Sequence, residues 1–164
     1  MTQAARPTLP DAIDVETPAD AAAVEAVVSA AFGPGRYAKT AERLRETAVP
    51  AIGFVARDAG RVIGSVRLWP IVVGEVPALF LGPIAVSSDS RKAGIGADLV
   101  AACIAHARTS GIGGVLLVGD LAYFDRFGFA PAPDVILPGP VDRRRVLWLG
   151  VTVETVSGTV LTKR

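Results

Sequence analysis

Leu79-Phe80-Leu81-Gly82-Pro83-Ile84-Ala85-Val86-Ser87-Ser88-Asp89-Ser90-Arg91-Lys92-Ala93-Gly94-Ile95-Gly96-Ala97 passes from an apolar, strand-like run through a serine-rich turn into a basic pair and two spaced glycines. Leu99, Val100, Cys103, Ile104 and Ala107 then recur at helical spacing, so the glycines fall where a strand hands over to a helix. Glycine lets backbone approach a ligand closely, and the first turn of a helix offers unpaired N–H groups and a dipole that favour anions. The segment reads as a pyrophosphate cradle. A dinucleotide loop would need a third glycine where Leu99 stands, and no Gly-Lys-Ser or Gly-Lys-Thr ending is present for a nucleoside triphosphate loop.

Outward from that stretch, the composition bounds the molecule. With 164 residues, 51% of them hydrophobic, the chain has the size of one domain and enough apolar material for a core without disulfides or metal. The expected organisation is a loose tail over Met1 to Pro10 and a single domain over residues 11–164. Seventeen basic residues against 16 acidic ones leave a net charge of +1, which argues against nucleic acid or an anionic membrane as partner. Any phosphate recognition is therefore local. The single Cys103 excludes an internal disulfide, and no segment has the uninterrupted apolar length of a membrane span. A cytoplasmic protein is expected.

Periodicity and turn chemistry give the order of elements. A short strand around Ala12 to Glu16 precedes a helix over Ala19 to Phe32, started by Thr17-Pro18, with Val24, Val27, Val28 and Ala31 on one face. A second, more charged helix spans Lys39 to Thr47. Ala51 to Arg57, Arg61 to Val72 and Val76 to Val86, joined by short glycine turns, form an antiparallel meander, with Pro70 predicting a bulge or an exposed edge. After the glycine-loop helix comes an apolar strand, Val115 to Val118, and the strand, helix and strand make a crossover. Asp120 to Arg126 is read as one short helix ended by Gly128, Pro131 to Pro140 as a loop, and Val146 to Val153 as a strand with which Thr159 to Thr162 pairs.

Arg91, two residues, Gly94, one residue and Gly96 fill the pattern of the acyl-coenzyme A loop of the GNAT N-acetyltransferase superfamily, which this segment resembles. The likeness resumes at Ala122-Tyr123-Phe124-Asp125-Arg126-Phe127-Gly128-Phe129, similar to the family's Ala, aromatic, Tyr, acidic, basic, apolar, Gly, Phe segment. The resemblance implies a mixed α/β fold: a twisted, mostly antiparallel sheet of six or seven strands, opened by a parallel splay at the cofactor site, with helices on both faces. It implies acetyl-CoA as co-substrate, no metal, and direct transfer of the acetyl group to a primary amine of a small molecule or protein. On this analogy Ile84, Ala85 and Val86 meet the pantetheine arm through backbone exposed where Pro83, which lacks an N–H, interrupts the strand. The Ile84 N–H polarises the thioester carbonyl, and Arg91, Lys92, Ala93, Gly94, Ile95, Gly96 and Ala97 hold the pyrophosphate.

The tyrosine that protonates the departing thiolate in the family commonly stands beside the acidic residue. That position is Phe124 here, with Tyr123 one place earlier, so Tyr123 is the candidate acid and both rings are candidate cofactor contacts. Glu75, Asp120 or water would take the amine's proton. The phenylalanine also motivates an alternative, a non-catalytic acyl-CoA-binding or sensing domain, and a third reading keeps the fold as an interaction module without cofactor. Cys103 reads as core packing, His106 as a boundary residue without a role, Trp69 and Trp148 as core or interface, and Arg143-Arg144-Arg145 as a solvated cluster that would otherwise meet the cofactor's ribose phosphate, a nucleic acid or an acidic substrate. A homodimer through the strands around Val146 to Val153 is a further expectation.

Overall fold

The computed structural model describes residues 12–33, 45, 48–88 and 94–163. The expected tail, the body of the expected helix Lys39 to Thr47, and Arg91, Lys92 and Ala93 of the glycine loop lie outside these residues. A short first strand β1 (Ile13–Val15) leads through a 3-10 turn at Pro18–Asp20 into α1 (Ala21–Phe32). The start signal is met at Asp20, whose carboxylate accepts from the Thr17 N–H at 2.8 Å and from its hydroxyl at 3.1 Å. The same carboxylate takes both terminal nitrogens of Arg57 at 2.9 Å, and this pairing holds its pKa far below the ordinary carboxylate range.

The meander follows as β2 (Ile52–Asp58), β3 (Arg61–Val73) and β4 (Val76–Leu81), all antiparallel neighbours. The expected strand to Val86 breaks at Gly82-Pro83-Ile84 and resumes as β5 (Ala85–Val86), which pairs with β3 at Gly64 and Ser65. Helix α2 (Ile95–Thr109) then returns the chain to β6 (Gly114–Val118), parallel to β4 through Leu79 opposite Val115 and Phe80 opposite Leu116. The segment read as one helix is a single α turn, α3 (Leu121–Phe124), tightened into a 3-10 turn at Asp125–Phe127 and ended by Gly128 at φ 96°. Short strands β7 (Ala130–Pro131) and β8 (Val135–Ile136) precede β9 (Val146–Gly150) and β10 (Gly158–Thr162). The continuous path β1-β2-β3-β4-β6-β9-β7 has seven strands, and β5, β8 and β10 attach beside it.

Neighbouring residues on a strand point to opposite faces, and the core divides accordingly. Phe54 joins Leu79, Leu81, Leu99, Cys103 and Leu117 under α2, whereas the adjacent Val55 joins Val24, Val28 and Ala85 under α1. Ala78 and Phe80 pack on the α1 side of the sheet with Trp69, Leu137 and Trp148. Ala31, expected on the apolar face of α1, is exposed.

Two strand expectations are corrected. Pro70 makes neither a bulge nor a free edge: β3 pairs with β4 straight through it, and on the other edge it sits where β2, ending opposite Leu68, gives way to β10, starting opposite Ile71. The missing N–H costs little at such a seam. β10 pairs with β3 and β8, not with β9. The reason lies at Gly150, where a side chain would strike the carbonyl of Val153 at 2.5 Å, so β9 stops short of Val153. The N–H groups of Val151, Thr152 and Val153 then converge on the Gly113 carbonyl and turn the chain across the sheet. Gly74 and Gly158 pack backbone to backbone, 2.8 Å being left for a side chain, and admit β10 beside β3.

Candidate functional site

The interruption between β4 and β5 is built by three bonds and one omission. The Gly82 N–H donates to the Arg67 carbonyl at 2.9 Å, the Gly82 carbonyl accepts from the Trp69 indole N–H at 2.6 Å, and the Ser87 N–H donates to the Ile63 carbonyl at 2.7 Å. Between them Pro83 has no N–H, and the Ile84 N–H has no backbone partner among the described residues. β4 and β6 pair only at Leu79 and Phe80, then part, and β5 is bonded along its β3 edge alone. The backbone from Gly82 to Val86 therefore faces an opening in the sheet, with Ile84 half-buried at its lip and the side chain of Ala85 buried against α1.

Across this opening stands the start of α2. Gly94 is the N-cap with φ 85°, a left-handed conformation that suits glycine, and the Asp98 N–H returns to its carbonyl at 2.8 Å. In a helix so begun, the N–H groups of Ile95, Gly96 and Ala97 precede the first intrahelical bond and point out of the end. The buried Ile95 side chain anchors this turn in the core while Gly96 and Ala97 stay partly open. A side chain at Gly96 would lie 3.5 Å from the Tyr123 hydroxyl and 4.0 Å from Val86, so the helix start, β5 and α3 meet at one point.

A cleft of about 680 Å³ runs through the splay. Gly82, Pro83 and Ile84 form one lip, Gly119 and Asp120 at the end of β6 the other, and Tyr123 and Phe124 line the α3 side. Phe32, Arg45 and the segment from Pro140 to Asp142 with Arg145 complete the walls. Tyr123 and Phe124 are both half-buried, in edge contact at 5.0 Å, and the Arg126 guanidinium covers the tyrosine ring at 4.5 Å. Tyr123 carries the only hydroxyl among the described lining residues. Asp120 caps α3, accepting from the Ala122 N–H at 3.1 Å. Glu75 sits in the turn before β4, at the opposite end of the strand from Ile84, roughly 20 Å or more away by strand rise. A smaller chamber of about 160 Å³ adjoins, sharing Arg45 and Pro83 and reaching Glu25 and the buried Ser65.

Residues outside the site behave as packing. Cys103 is wholly buried, and burial drives its thiol well above the ordinary range. His106 stands edge-on to Phe54 at 6.4 Å, and burial lowers its pKa. Arg144 pairs with Asp142 at 3.0 Å on the surface, while Arg145 beside it lines the cleft, so the arginine triplet divides in placement. Trp148 donates to the Val153 carbonyl at 3.1 Å within the core. Among the described residues no cluster of three or more potential metal ligands occurs, and no helix is long and apolar enough to cross a membrane.

Two site residues carried no recognised signal in the sequence. Trp69 orients the broken strand through the Gly82 carbonyl, a bond between positions 13 residues apart that only the β3–β4 register creates. Gly119 gives the Phe124 ring its place, since a side chain there would approach the ring to 2.5 Å. The glycine between an apolar strand and the capping Asp120 is the cue that would have marked it.

Known proteins share this fold. The model of the acetyltransferase (GNAT) family matches residues 22–129. The chain is 34% identical over 120 residues to the uncharacterized N-acetyltransferase YhbS of Escherichia coli (strain K12), covering 71% of this chain and 72% of that protein. The crystal structure of the Escherichia coli YhbS in complex with CoA superposes with a TM-score of 0.79 at 30% identity, over 98% of this chain and 94% of the other. A GNAT family acetyltransferase from Brucella melitensis in complex with acetyl-CoA gives a TM-score of 0.72 at 28% identity, over 92% and 94%.

Proposed function

The chain belongs to the GNAT acetyltransferase family, and from that premise we propose that it transfers the acetyl group of acetyl-CoA to a primary amine by direct attack. The observation that carries the reading is the Ile84 N–H, without a backbone partner among the described residues, at the lip of a splayed parallel pair, facing the amide-rich start of α2. Acetyl-CoA fits this geometry in two places. The N–H groups of Ile95, Gly96 and Ala97 suit the pyrophosphate, joined in sequence by Arg91, Lys92 and Ala93, and the open edge of Ile84 to Val86 suits the pantetheine amides. The two relatives in complex with CoA and acetyl-CoA support the same ligand here.

In the reaction the amine nitrogen attacks the thioester carbon, and the Ile84 N–H donates to the oxygen as negative charge gathers on it. The carbon–sulfur bond breaks, and Tyr123 gives its proton to the departing thiolate. The proton lost from the attacking nitrogen passes through water towards Asp120, the cleft-lining carboxylate of the two foreseen; Glu75 is at the wrong end of β4. Nothing in the cleft supplies an activated nucleophile among the described residues, which favours direct transfer over a covalent enzyme intermediate.

Titration of the protein with acetyl-CoA, NAD and ATP tests the reading. Acetyl-CoA alone should bind, and Gly94→Glu, which sets a carboxylate against the pyrophosphate, should abolish it. Gly94→Ala is the control: it bears the same left-handed strain, about 1 kcal/mol, without the charge. Equal loss in both variants, or no binding of acetyl-CoA, refutes the cradle; binding without thiol release from any amine would leave the sensing domain as the function.

A further inference from the structure

The chamber of about 160 Å³ lies behind the break in the sheet, between α1 and the face of β3 that carries Ser65, Arg67 and Trp69 at alternate positions. Pro83 belongs to both the chamber and the cleft, so the two adjoin at the break itself. The β3–β5 register sets Ser65 opposite Ala85, the residue after Ile84, and the Cα atoms of such partners lie about 4.5 to 5.5 Å apart. A group in the chamber is therefore only a few bonds from the Ile84 N–H, where the acetyl-transfer reading places the thioester carbonyl.

The charged groups of the chamber are already engaged. Arg67 holds the Glu16 carboxylate through two bonds, at 3.0 and 2.8 Å. Glu25 accepts from the Ser29 hydroxyl at 3.1 Å, and neither Glu25 nor Arg45 is without a partner. The Trp69 indole is committed to the Gly82 carbonyl. Ser65 differs from all of these: it is 1% exposed, and its hydroxyl has no hydrogen-bond partner among the described residues. Leaving a buried hydroxyl unpaired is costly, and in native proteins such groups are met by water or by a ligand. Val24, Val28 and Pro83 supply apolar wall around it. A further charge brought here would lose its water where the ionic groups are already taken, whereas an uncharged polar group would find one hydroxyl waiting. A cavity of about 150 Å³ holds benzene, so the chamber has room for about six heavy atoms.

We propose that this chamber selects the acceptor: a small amine whose chain ends, within about six heavy atoms, in an uncharged hydrogen-bonding group, a hydroxyl or a carboxamide, that meets Ser65. The serine hydroxyl both donates and accepts, so it satisfies either group. The proposal rests on the acetyl-transfer reading above. The test uses conjugates in which the sulfur of CoA is joined through an acetyl linker to amine chains of graded length ending in hydroxyl, carboxamide, methyl, carboxylate or ammonium. Calorimetric titration of each, and of CoA alone, is made on the full chain and on Ser65→Ala, with thermal melting of both proteins.

At one chain length the hydroxyl or the carboxamide should bind about tenfold tighter than the methyl end, the scale of one hydrogen bond made in a closed site, and the stronger of the two identifies the group. That preference should vanish in Ser65→Ala, which should bind CoA alone as the parent does and melt no lower, since no bond within the protein is lost. A methyl end that binds as well at every length, a charged end that binds tightest, or a preference that persists in Ser65→Ala overturns the proposal while leaving acetyl transfer standing. So does a fall of about 4 °C or more in the melting temperature of Ser65→Ala, which would show that the hydroxyl serves the fold. Failure of CoA and every conjugate to bind overturns the acetyl-transfer reading itself.

Discussion

Replacing Ile84 by proline removes the one backbone hydrogen on which the reaction is argued to depend. The Gly82 N–H is already bonded to Arg67, Pro83 has none, and β5 begins at Ala85, so Ile84 supplies the one donor of the Gly82-Pro83-Ile84 break without a backbone partner among the described residues. Loss of one such donor costs about a hundred- to a thousandfold in kcat, about 2.7 to 4 kcal/mol of transition-state stabilisation. Because this N–H has no backbone partner among the described residues, its removal takes no hydrogen bond from the described sheet. The half-buried isoleucine side chain is lost too, worth about 1 kcal/mol of apolar contact, and Ile84→Ala shares that cost while keeping the N–H. Thiol release at saturating acetyl-CoA gives kcat, calorimetry gives acetyl-CoA affinity, and thermal melting checks the fold. A proline variant that melts with the alanine variant, binds acetyl-CoA equally and keeps its kcat within about threefold of that control would refute the oxyanion role.

Trp69→Phe strands the buried Gly82 carbonyl without its donor and should destabilise the protein by about 1 to 3 kcal/mol in urea unfolding, with a fall in kcat as the Ile84 lip loosens. Tyr123→Phe should lower kcat about tenfold to a hundredfold with acetyl-CoA binding kept, and adding Phe124→Tyr should restore part of the rate in steady-state assays; an unchanged kcat removes Tyr123 as the acid. Asp20 is held ionised by Arg57 and Thr17, so its stabilisation is whole above about pH 4 and drains as pH falls through its depressed folded pKa. Acid unfolding monitored by circular dichroism should therefore show a shallower limb below about pH 4 in Asp20→Asn, which is already destabilised at neutral pH.

The meander, the strand-to-helix passage at Gly94 and the break at Gly82-Pro83 were legible in the sequence, because each depends on properties local to the chain, whereas β8 lies inside the stretch Pro131 to Pro140 that was read as a loop. Periodicity reports which side a residue faces, a proline withholds its own N–H, and a glycine admits a left-handed turn whatever surrounds it. Arg91 with Gly94 and Gly96 likewise carried the resemblance to the family's cofactor loop. What depended on distant partners was not legible. β10 joins β3 because Gly74 and Gly158 touch across 84 positions of chain, a fit that neither segment's own pattern contains. Pro70 sits harmlessly in mid-strand because two separate strands end and begin opposite it. Tyr123 and Phe124 could be named but not placed until Gly96 and Gly119 showed what each ring rests against. Arg145 looked like one of three solvated arginines, and lies on a wall of the cleft where the Gly119 N–H holds its carbonyl. Hydrogen bonding within a turn is written in neighbouring residues; which residues come to line one cleft is settled by packing between segments far apart in the chain.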